Sequence, residues 1–171
     1  MNFDRTNWHN DIVLSPVQAA EKADEHRALG EKIVSTNGSF DLLHIGHLDQ
    51  LEEARRQGDV LFVGINTDAS ITAAKGPSRP LIPEPARAAM LAALKCVDYV
   101  VIMPGSYAEE PMLSLLEYVK PDVQVNGPDY GDPSTWVEWP TMEKHGTRGY
   151  CIQKRNQFST SEIVKKIQNS I

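Results

Sequence analysis

The feature that most constrains this chain is a regular alternation of short apolar runs with amphipathic segments. The run from Val60 to Ile65 is nearly continuous in apolar residues, which is typical of a strand buried on both faces. The segment before it repeats apolar residues every three or four positions, with Leu48, Leu51 and Ala54 on one face of a predicted helix. The predicted strands are 32–36, 60–65, 99–102, 123–125 and 150–153, and the predicted helices are 16–29, 47–57, 84–94, 111–119, 135–145 and 160–169.

This order predicts an α/β fold with a Rossmann-like, doubly wound sheet of five parallel strands, because parallel neighbours need a crossover connection between them. A length of 171 residues suits one domain. We expect that domain to span residues 12–171, after a loose N-terminal arm at 1–11. Ligands of such sheets bind at the carboxyl ends of the strands, near the point where strand order reverses. The expected pocket therefore lies above strand 32–36.

Composition excludes several classes of function. The net charge of −6 argues against a nucleic-acid-binding protein, and no apolar run is long enough for a membrane helix. The first residues, MNFDRTNWHNDIV, lack the basic start and apolar stretch of a signal peptide. Cys96 and Cys151 are far apart and have no metal-binding spacing, so we expect reduced thiols. These observations predict a cytoplasmic protein without a membrane or nucleic-acid partner.

The stretch NGSFDLLHIGH, residues 37–47, follows the first predicted strand and precedes a predicted helix. Asn37 and Gly38 allow a sharp turn, and Gly46 lets a phosphate approach the backbone. The helix that follows presents unpaired N–H groups and a positive dipole end, which favour an anion. His44 and His47 can donate hydrogen bonds to that anion. No side chain has the pattern of an activated nucleophile, so direct in-line transfer fits better than a covalent intermediate. A turn that is merely rich in histidine is the alternative.

The same stretch resembles the signature of the HIGH-type nucleotidylyltransferase superfamily, in the TxGxFDxxHxGH form of its cytidylyltransferase-like branch. Further segments occur in the order typical of that branch: LDQLEEARRQGDVLFVGINTDASI, KGPSRPLIP, the arginine before MLAALKCVDYVV, KPDVQVNGPDY and FSTSEIVKKI. The resemblance covers residues from about 12 to the end. It is greatest to the adenylyltransferase domain of ADP-heptose synthases, and slightly weaker to glycerol-3-phosphate cytidylyltransferases.

The resemblance implies that the phosphate of a small sugar phosphate or polyol phosphate attacks the α-phosphorus of an NTP. The products are an NDP-linked metabolite and pyrophosphate, and Mg²⁺ acts with the nucleotide, without protein side chains as predicted metal ligands. The implied catalytic residues are His44, His47 and Lys75. The implied nucleotide-binding residues are Asn37, Gly38, Ser39, Phe40, Gly46, Arg87, Asn126, Ser159, Thr160 and Ser161, and the implied acceptor-binding residues are Asp41 and Asp129.

Several of these residues have a second interpretation. Residues 67–83 contain no convincing helix or strand, and loops this long are often functional, but Lys75 and Arg79 are equally compatible with solvated loop charges. Arg87 could instead pair with Glu84. Ser159 with Glu162 also forms a capping box, which does not prevent phosphate binding. Lys154 and Arg155 lie near the serine motif, one residue out of the cytidylyltransferase spacing, and stay open.

The chain also departs from the pattern of the ADP-heptose enzymes. Those enzymes usually have lysine at the position of Asn126 and acidic residues at the positions of Pro85 and Ala86. The tract GDPSTWVEWP, residues 131–140, has no counterpart, and its Trp and Glu side chains could shape an acceptor pocket or a dimer contact. The leading hypothesis is AMP transfer from ATP to a sugar phosphate such as heptose 1-phosphate, by a homodimer. The alternatives are a CTP-dependent polyol-phosphate cytidylyltransferase and a nucleotide sensor without turnover.

Overall fold

The computed structural model describes residues 11–105, 115–153 and 158–170, and these form a six-stranded parallel sheet covered by helices. The strands are β1 (Val13–Leu14), β2 (Ile33–Gly38), β3 (Val60–Asn66), β4 (Tyr99–Met103), β5 (Val123–Asn126) and β6 (Arg148–Cys151). The helices are α1 (Pro16–Ala28), α2 (Ile45–Arg55), α3 (Asp68–Lys75), α4 (Glu84–Ala92), α5 (Leu115–Val119), α6 (Trp139–His145) and α7 (Thr160–Gln168). The predicted Rossmann-like α/β class is confirmed.

The sheet order is β1-β4-β3-β2-β5-β6, and every pairing is parallel. The chain moves outward from β2 through β3 to β4, then returns to the other side of β2 to form β5. The strand order therefore reverses between β2 and β5, which places the expected binding crevice above the carboxyl ends of these two strands.

Two apolar layers hold the helices on the sheet. On one face, Val34, Leu61 and Val63 pack with residues of α2 and α4, including Leu51 and Leu91. On the other face, Ile33, Phe62 and Val101 pack with α1 and α5. A smaller cluster of Leu116, Trp136 and Met142 connects α5 to α6. Because both faces are covered, the strands can be apolar along their whole length, as the sequence pattern indicated.

The predicted start of α1 is confirmed in detail. Ser15 caps the helix through Oγ, which accepts from the Gln18 N–H at 3.3 Å, and the Gln18 side chain accepts from the Ser15 N–H at 2.9 Å. Gly30 follows the helix with a positive φ of 77°, a conformation that glycine adopts without strain. The capping box fixes where the chain leaves β1 to cover the sheet.

Two expectations are wrong in part. The sheet has a sixth strand, because Val13 and Leu14 pair with Val100 and Val101 of β4 at its edge. Residues 67–83 are not irregular throughout: α3 begins at a Thr67 cap, whose Oγ1 accepts from the Ser70 N–H at 3.2 Å, and runs to Lys75. The other predicted elements are present with shifted ends. The arm at 1–10 and the first residues of the 111–119 helix lie outside the described residues.

Within the described ranges, no helix combines the length and the apolar character needed to cross a membrane.

Gly58 allows the close approach of the α2–β3 connection to the start of β2. A Cβ built on Gly58 lies 2.6 Å from the Lys32 carbonyl oxygen and 2.7 Å from Val34 Cγ2. We expect Gly58→Ala to lower the free energy of unfolding by about 1–3 kcal/mol, because a backbone atom cannot move aside as a side chain can. Thermal melts would measure the loss. Gly127→Ala is the control, since the nearest atom to its added Cβ is 3.6 Å away; equal Tm values for the two variants would contradict the prediction.

Candidate active site

The turn after β2 directs the chain from the sheet edge into α2. Phe40 adopts a φ of 46°, unusual for a residue with a side chain, and its ring is buried. The ring lies 5.2 Å from that of His47, centroid to centroid. It also lies 3.1 Å from the position of a Cβ on Gly38, so a side chain there would collide with it. Burial of Phe40 therefore fixes the turn beneath the histidines.

The two histidines stack face to face at the start of α2, with ring centroids 3.8 Å apart and an interplanar angle of 20°. His44 is the N-cap of the helix, and its Nδ1 accepts from the Gly46 N–H at 3.1 Å. Because Nδ1 is the acceptor, the neutral His44 ring carries its proton on Nε2, which is left to donate to a ligand. A Cβ on Gly46 would lie 3.0 Å from the His44 ring and 3.2 Å from the Phe158 carbonyl, so glycine also gives room for this cap.

The surroundings of both histidines favour the neutral ring at physiological pH. The pKa of His47 is lowered to about 4, chiefly by burial, and the neighbouring His44 and the Lys75 ammonium contribute to the same shift. The Leu42 backbone carbonyl opposes this shift, because it favours the protonated ring. His47 Nδ1 is buried and has no hydrogen-bond partner of normal geometry among the described residues. Burial also lowers the pKa of His44. The pair can therefore donate to an anion without itself adding net charge.

Two adjacent cavities meet at His47, and we call them the first and second compartments. The first has a volume of about 360 Å³ and lies between the N-termini of α2 and α7. The second has a volume of about 300 Å³ and lies between α3 and the carboxyl end of β2. His47, Tyr130 and Thr160 line both. The first is otherwise lined mainly by His44, Gly46, Gln50, Asp129, Gln153 and Ser159, and the second by Asn37, Gly38, Ser39, Phe40, Asp41, Lys75 and Arg79.

The cations of the site belong to the second compartment. Lys75 ends α3 and donates from Nζ to Ser39 Oγ at 3.2 Å. Burial lowers its pKa, the Arg79 guanidinium lowers it further, and the Asp41 carboxylate opposes the shift. Arg79 Nη2 lies 2.8 Å from Asp41 Oδ2, and Arg79 Nε is buried without a hydrogen-bond partner among the described residues. Arg79 was not among the expected site residues, because its position in the sequence does not distinguish it from a charged residue on a surface loop.

Arg87 is fully buried and is bonded to the protein itself. Its Nη1 donates to the Ser39 carbonyl at 2.5 Å, its Nε to the Ile82 carbonyl at 2.9 Å, and its Nη2 to the Asn66 carbonyl at 2.8 Å. Nη2 also pairs with the Asp68 carboxylate at 2.7 Å, in place of the Glu84 partner considered from the sequence. In this arrangement Arg87 shapes the turn and does not line either compartment.

The hydroxyl motif lies at the start of α7, opposite the histidines. Ser159 caps the helix and accepts from the Glu162 N–H at 3.2 Å. Thr160 lines both compartments, whereas Ser161 lines a neighbouring shallow cavity together with Lys75 and Arg79. Lys154 and Arg155 lie outside the described residues. The two residues expected at the acceptor are separated, since Asp41 lines the second compartment and Asp129 the first.

A buried polar cluster lies beneath the second compartment. Asn126 is 2% exposed, lines neither compartment, and donates from Nδ2 to Glu138 Oε1 at 3.0 Å. Glu138 is 1% exposed, its Oε2 has no partner among the described residues, and burial raises its pKa to about 7. Trp136, in the same tract, donates from its indole to the Tyr130 carbonyl at 3.1 Å. The unassigned tract therefore supports the 127–130 loop from below.

Comparison with known proteins identifies the family to which the chain is similar. The model of the cytidylyltransferase-like family matches residues 35–166. The bifunctional protein HldE of Syntrophotalea carbinolica is 47% identical over 141 residues, which are 82% of this chain and 28% of that protein. The bifunctional protein HldE of Trichlorobacter lovleyi is 43% identical over 158 residues, 92% of this chain and 30% of that protein. The chain thus spans about 30% of the length of these relatives.

Solved structures show the same fold. The lipopolysaccharide core biosynthesis protein of Thermoplasma volcanium superposes with a TM-score of 0.58 at 29% identity, covering 74% of this chain and all of that one. Pantoate-β-alanine ligase of Francisella tularensis, solved with an ATP analogue and β-alanine, superposes with a TM-score of 0.55 at 16% identity, over 92% of this chain and 78% of that one. At that identity the second likeness concerns the fold alone.

The buried carboxyl of Glu138 should make stability depend on pH. Its pKa of about 7 lies above that of an exposed glutamate, so between roughly pH 4.5 and 7 the folded state keeps a proton that the unfolded state has lost. Stability therefore falls as the pH rises through this window. Glu138→Gln removes the cost of ionising a buried carboxyl at high pH. At pH 8 we expect this variant to be about 1 kcal/mol more stable than the parent and to melt about 2–4 °C higher. Near pH 4.5 we expect the two proteins to have equal Tm values.

Calorimetry at the two pH values measures this difference. Glu143→Gln, an exposed position of the same helix, controls for the loss of one carboxyl group. A Glu138→Gln advantage that grows on acidification would contradict the assignment.

Proposed function

Because the chain belongs to the cytidylyltransferase-like family of nucleotidyltransferases, we propose that it transfers a nucleoside monophosphate to a small phosphorylated metabolite. The donor is ATP, the acceptor is a sugar phosphate such as heptose 1-phosphate, and the second product is pyrophosphate. The resemblance to ADP-heptose synthases and the identity of 47% to a bifunctional HldE protein support this choice of substrates. The observation that carries the reaction is the position of His47, where the first and second compartments meet.

The reaction needs one bond to form and one to break. A phosphate oxygen of the acceptor attacks the α-phosphorus of the nucleotide, and the bond from that phosphorus to the oxygen bridging to the β-phosphate breaks. Pyrophosphate leaves with the bonding electrons. The acceptor oxygen is already anionic, so no base has to remove a proton from it, and the absence of an activated nucleophile among the described site residues is consistent with direct transfer.

The first compartment suits the triphosphate. The N-termini of α2 and α7 line it, so the positive ends of both helix dipoles lie beside a ligand bound there. His44 Nε2 donates into the same space. As the α-phosphorus becomes five-coordinate, charge is redistributed over its oxygens, and donors already held in place stabilise that state without reorganising. His47, which lines both compartments, is placed to contact the group in transfer.

The second compartment suits the acceptor phosphate. Lys75 and Arg79 supply two positive charges there, and the Asp41 carboxylate fixes Arg79. The pKa of Lys75 is lowered by burial and by Arg79. An incoming phosphate dianion reverses that influence and favours the ammonium form. The lysine therefore carries its full charge when the acceptor is bound, which is when the charge is needed.

Magnesium enters with the nucleotide in this proposal. Asp49 and Asp129 line the first compartment, but the described residues contain no cluster of three or more His, Cys, Asp or Glu that could hold a metal ion. Such sparse carboxylates fit Mg²⁺, which keeps several waters and binds largely through substrate phosphates. The ion would neutralise charge on the leaving pyrophosphate, while Asp49 and Asp129 would be the residues nearest to it.

A substrate panel tests the function. Purified protein would be incubated with ATP or CTP and with heptose 1-phosphate or glycerol 3-phosphate, and pyrophosphate release would be measured. We expect the highest kcat/KM with ATP and the heptose phosphate. Preference for CTP and glycerol 3-phosphate would instead identify a polyol-phosphate cytidylyltransferase. Nucleotide binding without turnover in any combination would leave a sensor and refute the proposal.

Removal of either histidine should slow the chemical step more than it weakens nucleotide binding. We expect His44→Ala and His47→Ala each to lower kcat by roughly 100-fold or more, the usual effect of losing one preorganised donor. The double variant should lose less than the product of the two, because both rings act on one phosphate. Steady-state kinetics and thermal melts measure this. His145→Gln, outside both compartments, is the control; normal turnover by folded His44 and His47 variants would make the stretch a histidine-rich turn.

Lys75 should act on a bound phosphate. Lys75→Ala removes one of two charges in the second compartment, and we expect kcat/KM for the acceptor to fall about 10-fold or more, in line with the loss of a hydrogen bond to a charged group. Lys95→Ala, on the connection after α4, is a matched control outside both compartments. An unchanged kcat/KM in Lys75→Ala would make this lysine a surface charge only.

A further inference from the structure

We propose that the Asn37 side chain donates a hydrogen bond to a phosphate oxygen of the acceptor, and that Glu138 fixes the direction of this amide through a buried chain of hydrogen bonds. This inference rests on the proposed function, because it assigns the phosphate-binding role to the second compartment. Asn37 is the residue that contacts the ligand. Gln124, Asn126 and Glu138 are positioning residues that act through it, and we call these four residues the amide relay.

The relay runs from Glu138, the N-cap of α6, to the edge of the second compartment. Glu138 Oε1 accepts from Asn126 Nδ2 at 3.0 Å. Asn126 Oδ1 in turn accepts from Gln124 Nε2 at 3.2 Å. The same Gln124 Nε2 donates to Asn37 Oδ1 at 2.6 Å, and Gln124 Oε1 accepts from the Ser35 hydroxyl. Asn37 lies at the carboxyl end of β2 and lines the second compartment.

Only one member of the relay has a fixed polarity. An amide can turn over and exchange its donor and acceptor ends, and the Ser35 hydroxyl can either donate or accept. Above its pKa of about 7, where the binding measurements below are to be made, the Glu138 carboxyl is ionised and can only accept. It therefore selects the orientation in which Asn126 directs its NH₂ group toward Glu138 and its oxygen toward Gln124. Gln124 must then present its NH₂ group to Asn37, so Asn37 uses its oxygen internally.

The consequence reaches the ligand. With Oδ1 of Asn37 engaged by Gln124, the Nδ2 group is the end left for the compartment, and it has no hydrogen-bond partner among the described residues. An N–H donor attracts a phosphate oxygen, whereas a carbonyl oxygen in the same place would repel it. The polarity of one buried carboxyl thus decides whether the floor of the compartment accepts an anion.

The free-energy cost of burying the Glu138 carboxyl supports a functional role for this residue. A carboxyl that is 1% exposed, with one oxygen unpartnered among the described residues, costs free energy that an apolar residue would not. Its neighbours Trp136 and Met142 are apolar and buried, so a larger apolar cluster was available to the fold. A group of fixed polarity gives the relay one arrangement in place of two.

The test relocates the single carboxyl group along the relay. In Glu138→Gln the fixed polarity is lost, both orientations become possible, and we expect about two-fold weaker binding of inorganic phosphate, since half the molecules are competent. In N126D/E138Q the carboxylate at 126 accepts from both neighbours, which restores the parent orientation. In Q124E/E138Q the carboxylate at 124 accepts from Asn37 and Asn126, which reverses the relay and turns the Asn37 oxygen toward the ligand.

The two double variants have the same number of carboxyl groups and the same formal net charge. We expect N126D/E138Q to bind inorganic phosphate within about two-fold of the parent, and Q124E/E138Q to bind it about 10-fold or more weakly, because a donor to a charged group has been replaced by an acceptor. Isothermal titration measures both. Glu143→Gln controls for loss of an exposed carboxyl from α6.

A further Asn37→Ala substitution separates the relay from simple repulsion by a nearby charge. If the relay acts through Asn37, the difference between the two double variants should disappear in that background. NMR gives a second measurement that holds even if Q124E/E138Q fails to fold. The side-chain amide signal of Asn37 should shift on phosphate addition in the parent and in N126D/E138Q, and should be displaced in Glu138→Gln before any addition.

Phosphate binding needs no turnover, so it is judged apart from the substrate panel. Failure of all acceptors in that panel would refute the proposed function while the relay is still decided by binding. Equal affinities of the two double variants, a difference that persists in the Asn37→Ala background, or an Asn37 amide that phosphate leaves unmoved would each overturn the relay.

Discussion

The buried ion pairs at the carboxyl edge of the sheet are the constraint on which the site depends. Parallel strands end there with unpaired backbone groups, and a turn, a helix and a proline-rich loop all have to meet over them. Arg87 satisfies carbonyls from the turn, from β3 and from the loop at once. Asp41 complements it, because its Oδ1 accepts from the N–H groups of Leu81 and Ile82 at 2.8 and 2.9 Å. Arg87 thus donates to several backbone carbonyls, and Asp41 accepts from several backbone N–H groups.

That arrangement determines where the ligand-facing groups lie. The Ser39 carbonyl is held by Arg87, and the Ser39 hydroxyl accepts from Lys75 at the end of α3. Arg79 is held by Asp41 from the other side of the loop. The two cations of the second compartment are therefore fixed through the same buried residues that shape the turn. A fault in either ion pair would displace charge, donors and backbone together, so the site behaves as one unit.

The sequence predicted most of the fold because the signal there is local. Apolar runs and helical periodicity are properties of neighbouring residues, and they located five of the six strands. β1 was missed because two residues at a sheet edge carry no periodicity. α3 was missed although Thr67 is a good cap and Ile71 is buried, because the glycine and prolines that follow favoured a loop over the whole segment.

The sequence predicted the residues of the turn better than the residues that hold the turn in place. His44, His47 and Gly46 belong to one short turn, so their spacing in the sequence is enough to predict that they lie together. Arg87 was expected to bind nucleotide, yet its partners are backbone carbonyls from three distant segments, which no spacing reveals. Glu138 and Arg79 depend on long-range partners in the same way. Residues that hold a site in place are recognised only when the fold brings their partners together.

An acidic chain that binds anions needs its positive groups concentrated, and the structure achieves this without many cations. Physiological salt screens the field of the net charge of −6 beyond about 8 Å, so a bound ligand responds mainly to the groups closest to it. In the second compartment a ligand meets Lys75 and Arg79, and the Asp41 carboxylate there is engaged by Arg79 and by backbone N–H groups. In the first compartment it meets two helix N-termini and neutral donors, together with the carboxyl groups of Asp49, Asp129 and Glu162. The neutral histidines add to the site without adding charge, so they need no counter-ion when no ligand is bound. The electrostatic field at the site therefore depends more on how donors and dipoles are oriented than on the net charge of the chain. For this reason the direction of the Asn37 amide should affect anion binding.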